Sequence, residues 1–246
     1  MKRLLAVMGF CLLAQGAQAG PNINVGVVYD YLDGDKSTYL KRIFNGGTST
    51  AFVKVEILEI LYDEQGKSKE VPLQSQLDST ARDGLMASPA RLIVPANGMQ
   101  GTRLVYMGER SKERYFRVRY IPVVPEKEDA FAVSEEEREA YQNTLQAGVS
   151  VLAGYGTVFF VRPQDTRFDT RLENVGAKYT VRNNGNSVIE VDEFKNCVAG
   201  KTDDCQPTTK NHVLPGRAFS FDKQAGREYR FKLVEGQNQK DHVVQG

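Results

Sequence analysis

Strand-like alternation of apolar and polar residues dominates this chain. Ile23, Val25, Val27, Tyr29 and Tyr31 alternate up to the turn signal Asp33-Gly34-Asp35. A second strand is predicted over Thr38–Phe44, stopped by Asn45-Gly46-Gly47. A third carries Ala51, Val53, Val55 and Ile57 on one face, and its phase slips at Ile57-Leu58, which predicts a bulge or a bend. A polar loop is expected from Asp63 to about Asp83. Arg91–Val94 and Thr102–Tyr106 then flank a Pro95–Gly101 turn, and Phe116, Val118 and Tyr120 share a face within Arg114–Ile121.

From Pro122 to Asn143 the alternation collapses into a charged, proline-bounded segment. Ser134 and Glu137 have capping-box spacing, so one or two helical turns are expected there. Without an apolar face such a helix is marginal alone, and mobility is expected until a partner arrives.

The longest alternation follows. Leu145, Ala147, Val149, Val151, Ala153, Tyr155, Thr157, Phe159 and Val161 all share one parity, far beyond the five or six residues of an average strand. Such a strand overruns the sheet that carries it. Its first half offers apolar side chains and unpaired backbone groups to something outside the domain, and a protein that keeps such an edge has a use for it in completing another sheet.

Arg162-Pro163 ends that strand, and Gln164-Asp165-Thr166 marks a domain junction. A second strand series runs through Lys178–Arg182, the Asn183–Asn186 turn, Val188–Phe194, Phe219/Phe221 and Tyr229/Phe231/Leu233. Short strands at this spacing predict an all-β chain of two immunoglobulin-like sandwiches in tandem, 20–162 and 163–246.

The first nineteen residues have the form of a secretory signal: basic Lys2-Arg3, an apolar Leu4–Leu13 and a small-x-small site at Ala17–Ala19. An exported, soluble product is expected, without membrane insertion. In an oxidising compartment the remaining cysteines, Cys197 and Cys205, pair as a disulfide. Their spacing and the polar surroundings of His212 and His242 give no reason to expect a metal. Net charge is +1, which argues against nucleic acid. No nucleophile elbow, zinc-protease motif or phosphate loop occurs, so neither enzyme chemistry nor a cofactor is expected.

Three arginines stand out. Arg42, in step with Leu40 and Phe44, and Arg117, between Phe116 and Val118, read either as surface residues whose stems cover apolar area or as cleft cations for a partner's carboxylate. Arg162, beside the junction, is expected to form a salt bridge fixing the two sandwiches, with Glu113 and Glu235 as candidate acids.

Taken in order, these pieces resemble the periplasmic pilus chaperones of the chaperone–usher pathway. The likeness rests on Ser88–Ala96 with Gly101-Thr-Arg-Leu104, Tyr115–Pro122 and the long strand into Phe159–Pro163. Asn183–Asn186, Cys197 to Cys205 and Tyr229–Leu233 look like the alternate, colonisation-factor branch. The resemblance implies a non-enzymatic periplasmic protein that lends a strand to pilin subunits and delivers them to an outer-membrane usher. By position, Val149, Val151 and Ala153 would be the core donor residues, extended by Leu145, Ala147 and Tyr155. The exposed edge also offers free molecules a surface for self-association.

The best-known branch anchors the pilin's terminal carboxylate with an Arg and a Lys. Here the corresponding places carry Tyr29 and Val158. Arg42 is nominated first and Arg117 second. A further departure is the end of the chain, His242–Gly246, which leaves little sequence for a last strand. The rival reading is a structural or adhesive fimbrial subunit, or another exported sandwich-type binding module.

Overall fold

The computed structural model describes residues 20–73, 83–146, 152–201 and 203–246. The strands are β1 (Ile23–Asn24), β2 (Tyr29–Leu32), β3 (Thr38–Asn45), β4 (Ala51–Tyr62), β5 (Ser68–Pro72), β6 (Gly84–Ser88), β7 (Arg91–Val94), β8 (Met99–Met107) and β9 (Arg114–Val123). A 3-10 turn (Lys127–Asp129) and helix α1 (Glu135–Gln146) precede β10 (Tyr155–Val161). Then come β11 (Thr170–Val175), β12 (Lys178–Asn183), β13 (Ile189–Val198), β14 (Thr209–Val213), β15 (Ala218–Asp222), β16 (Arg227–Glu235) and β17 (Asn238–Gln245).

Two sheets form the first sandwich: a front sheet in the order β1-β3-β8-β6, and a back sheet in the order β2-β10-β9-β4-β5, with β7 also on β4. Between them lie Val53, Val55 and Ile57 of β4, Phe116, Val118 and Tyr120 of β9, and Phe159 and Val161 of β10. Ile43, Leu85, Leu104 and Tyr106 face them from the front sheet. The second sandwich packs β11-β12-β15 on β14-β13-β16-β17 around Val181, Ile189, Val191, Phe231 and Leu233.

Several expectations need correcting. The first alternating run is two strands: β1 pairs with β3 in the front sheet, while β2 runs parallel to β10 in the back sheet. Gly26 sits between them at φ 69, a conformation that a glycine adopts without strain. Val27 is therefore 64% exposed instead of sharing the core with Val25. The β4–β9 ladder has no bulge, and its register is continuous from Phe52↔Val123 to Ile60↔Tyr115. What slips in β4 is burial: Ile60, on the outer face, is buried as well. The polar loop contains β5, and the chain's last residues do form a strand, β17, paired with β16 along its full length. The disulfide joins Cys197 to Cys205.

One side chain is repeated in the two cores. Asn45 ends β3, donating to the Ser49, Val94 and Pro95 carbonyls and accepting from the Asn22 and Gly47 N–H groups. Asn183 ends β12, donating to the Ser187 and Val213 carbonyls and accepting from Gly185. In each case a buried amide satisfies corner backbone groups that water cannot reach.

Candidate functional site

Strand β10 closes the first sandwich and determines what its upstream residues can do. Thr157, Phe159 and Val161 point inward and are fully buried. The same parity leaves the core at Tyr155, which is 39% exposed, and Ala153 before it is exposed too. On one flank β10 pairs with β9 from Tyr155↔Tyr120 to Val161↔Arg114. On the other, β2 covers only Val158 to Val161. The backbone edge at Tyr155–Thr157 is thus left unpaired by β2, and a strand continued upstream would carry its inward parity beyond this sandwich's own core.

The predicted donor residues fall into three groups. Ala153 and Tyr155 lie on this exposed approach. Ala147, Val149 and Val151 lie outside the described residues. Leu145 corrects the expectation of one unbroken strand: it is buried in the last turn of helix α1, and regular strand geometry begins only at Tyr155. Tyr141 and Leu145 are four residues apart, a spacing that fits a helix face and strand parity alike.

The two nominated anchors are on opposite sides of the sandwich. Arg42 is exposed on the outer face of the front sheet, in register with Gly101. Arg117 is on the outer face of the back sheet, paired in register with Val158 of β10 and Leu58 of β4. Of the two, only Arg117 is on the sheet that holds the closing strand. Its Nε donates to Glu70 of β5 at 2.8 Å, and Arg119, two residues on and on the same face, donates to the other Glu70 oxygen at 2.5 Å. The hydrogen bond from Arg117 holds the Glu70 carboxyl below its ordinary value. Sequence reasoning missed Arg119, although Arg117-x-Arg119 on an alternating strand was the available signal.

Next to this face the sandwiches meet. Arg162 is buried and its Nη1 donates to Asp33 at 2.7 Å, so its partner is the turn acid Asp33 and not Glu113 or Glu235. The guanidinium also stacks over Tyr31 at 5.0 Å and Phe168 at 5.5 Å, one ring from each sandwich. Glu235 instead accepts from Thr170. Glu113 has its own junction role, accepting from the Ser187 hydroxyl at 2.7 Å and the Val188 N–H at 2.9 Å. Burial pushes its carboxyl upward, against those hydrogen bonds and the Arg162 charge.

His212 corrects another reading. It lies on β14 among aromatic rings, hydrogen-bonded to the Tyr31 hydroxyl at 2.8 Å and stacked on Phe160 at 5.2 Å. A cleft of about 460 Å³ opens here, lined by Tyr29, Tyr62, Val158, Phe160, Lys210 and His212 among others.

An all-β pair of immunoglobulin-like sandwiches, the first closed by a strand with an uncovered upstream edge, is the architecture of the pilus chaperones. The named relatives agree. The chain is 25% identical to a probable fimbrial chaperone, EcpB, of Escherichia coli O157:H7 over 243 residues, 96% of this chain and 97% of that one. It is also 25% identical to a CS1 fimbrial protein of Escherichia coli over 187 residues, 74% of this chain and 73% of that one. The class 5 fimbriae chaperone CfaA has the same fold at a TM-score of 0.54 and 19% identity, covering 92% of this chain and all of that one. Other structures with this fold include a chaperone in complex with a tip adhesion subunit. No family model matches the sequence. Over nearly its whole length, then, the chain is similar to the fimbrial chaperones, and the CfaA and CS1 likenesses indicate the alternate branch.

Proposed function

We propose that this chain is a non-enzymatic periplasmic chaperone for fimbrial subunits, exported by its first nineteen residues. It binds an incomplete subunit sandwich by lending the segment upstream of β10. The observation that carries this reading is the parity of β10. Residues that fill the chain's own core continue, in sequence, into Tyr155, Ala153, Val151, Val149 and Ala147 without a change of phase. An edge of this kind gives backbone bonds, and its alternate side chains give buried area of roughly 1.5–3 kcal/mol for each well-buried valine.

Within this reading Arg117, with Arg119 beside it, is the anchor for the subunit's terminal carboxylate, because it flanks β10 on the cleft-side face. Arg42 falls to a different role. It shares the outer face of the front sheet with Leu40, Phe44 and Met99, each 48% exposed, and with exposed Arg103. That apolar, cationic surface is the candidate docking face for the usher.

The test is co-purification of a fimbrial subunit from the periplasm. Val151→Asp should abolish recovery of the complex while the chaperone stays folded, and unchanged recovery would refute strand lending. In the same assay Arg117→Ala should weaken the complex, and removing the subunit's terminal carboxylate as well should add little. Fully additive losses would move the anchor elsewhere.

A further inference from the structure

The connection from β9 to β10 is pinned to the outer face of the back sheet through its described part. Phe52 of β4 points away from the core, in register with Val123. Phe131 and Tyr141 close on its ring edge-on, at 5.3 and 4.8 Å. Asp129 pairs with Lys54, the next outward residue of β4, and also accepts from the Glu126 N–H at 3.0 Å. The helix is capped reciprocally, Glu137 N–H donating to Ser134 Oγ and Ser134 N–H to Glu137 Oε2. Leu145, the first apolar residue of the lending series, is buried in its last turn.

A twelve-residue helix with three glutamates in its first turn is marginal alone in water. The aromatic and ionic contacts to β4 therefore hold it. The β9–β10 ladder stops at Tyr155↔Tyr120. Leu145 belongs to the helix in the unoccupied protein, and to the strand if the whole series is lent. It cannot belong to both.

We propose that residues 127–146 are a stowage latch. In the unoccupied protein they hold the start of the lending segment as a helix on β4, and engaging a subunit in full draws that segment out into strand. The latch keeps part of an aggregation-prone edge out of use until a partner competes for it. This inference rests on the strand-lending reading and adds to it where the donor waits.

The experiment uses the mature, signal-free protein alone, with hydrogen exchange read by mass spectrometry and association read by sedimentation velocity. Phe131→Ser with Tyr141→Ser should raise amide exchange over 135–146 at least tenfold while β4, β9 and β16 stay protected. It should also shift the protein toward dimers at tens of micromolar, and adding Val151→Asp should reverse that shift. The latch is overturned by free-peptide exchange of 135–146 in the unaltered protein, by unchanged exchange in the variant, or by faster exchange without new association. Failure of strand lending is visible separately, as subunit capture that survives Val151→Asp.

Discussion

The two sandwiches close with strands of equivalent place and opposite behaviour. The path β7-β4-β9-β10 in the first corresponds to β14-β13-β16-β17 in the second, and Asn45 and Asn183 hold matching corners. Yet β17 is the second arm of a tight hairpin, paired with β16 from Glu235↔Asn238 to Glu228↔Gln245. By contrast, β10 follows a connection of 31 residues, 124–154, and its pairing ends where its apolar series still continues upstream. The residues of β17 that share Val244's parity become polar toward the turn, at Lys240 and Asn238, whereas those upstream of β10 stay small and apolar. An overhang is not a property of this fold, therefore, but of one closing strand whose side chains suit a second core.

The sharpest way to break that comparison is to truncate each strand. Phe159→Ala should cost about 3–5 kcal/mol, because its fully buried ring lies between the two sheets. Val244→Ala should cost about 2 kcal/mol in the second sandwich. Val151→Ala should change stability by no more than about 0.5 kcal/mol, as a residue outside its own core does. Urea unfolding of the three variants decides it. A loss at Val151 matching that at Phe159 would put both halves of the series in one core and end the distinction.

Arg162 sets the next scale, since it joins the two units being compared. Its pair with Asp33 is half-sheltered, with the Asp33 side chain 30% exposed, so Arg162→Ala should cost about 1–3 kcal/mol, less than the loss of a fully buried partner. A double-mutant cycle should give coupling to Asp33 and none to Glu235. The opposite result would restore the acid expected from sequence.

That substitution of partners shows how far the sequence could be read. Core strands were legible because β4, β9 and β16 alternate around a buried face. Edge strands were not: β5 and β11 contain little that distinguishes a half-exposed strand from a polar loop, and only their neighbours' unpaired backbones make them strands. Helix α1 was anticipated from its cap, but its anchorage depends on Phe52, some eighty residues earlier. Leu145 satisfied both periodicities, so alternation alone could not choose. Asp33 looked like a turn residue because its partner lies 129 residues away. For the lending residues the reverse held: chemistry and parity were visible in the sequence, and the structure supplied the face on which Arg117 and β10 meet.

The smallest expected effect concerns the seam where β14 of the second sandwich rests on the first. Burial among Tyr29, Tyr31 and Phe160 lowers the His212 pKa below its ordinary 6.5, opposed by Glu190 and Asp192 and assisted by Lys210. The unfolded chain then takes up a proton that folded His212 resists. Stability at this seam is whole above about pH 6.5 and declines as pH falls toward the folded value, by up to about 1.4 kcal/mol per pH unit. Glu113 runs the other way: burial raises its pKa, so its ionisation burdens the folded state as pH rises through that raised value. His212→Phe keeps the stacking and removes only the proton. Subtracting its unfolding free energy from that of the unaltered protein at pH 5 and pH 8 isolates the histidine from Glu113. A difference that is the same at both pH values would mean that His212 titrates alike in both states, and the seam would then be held by packing alone.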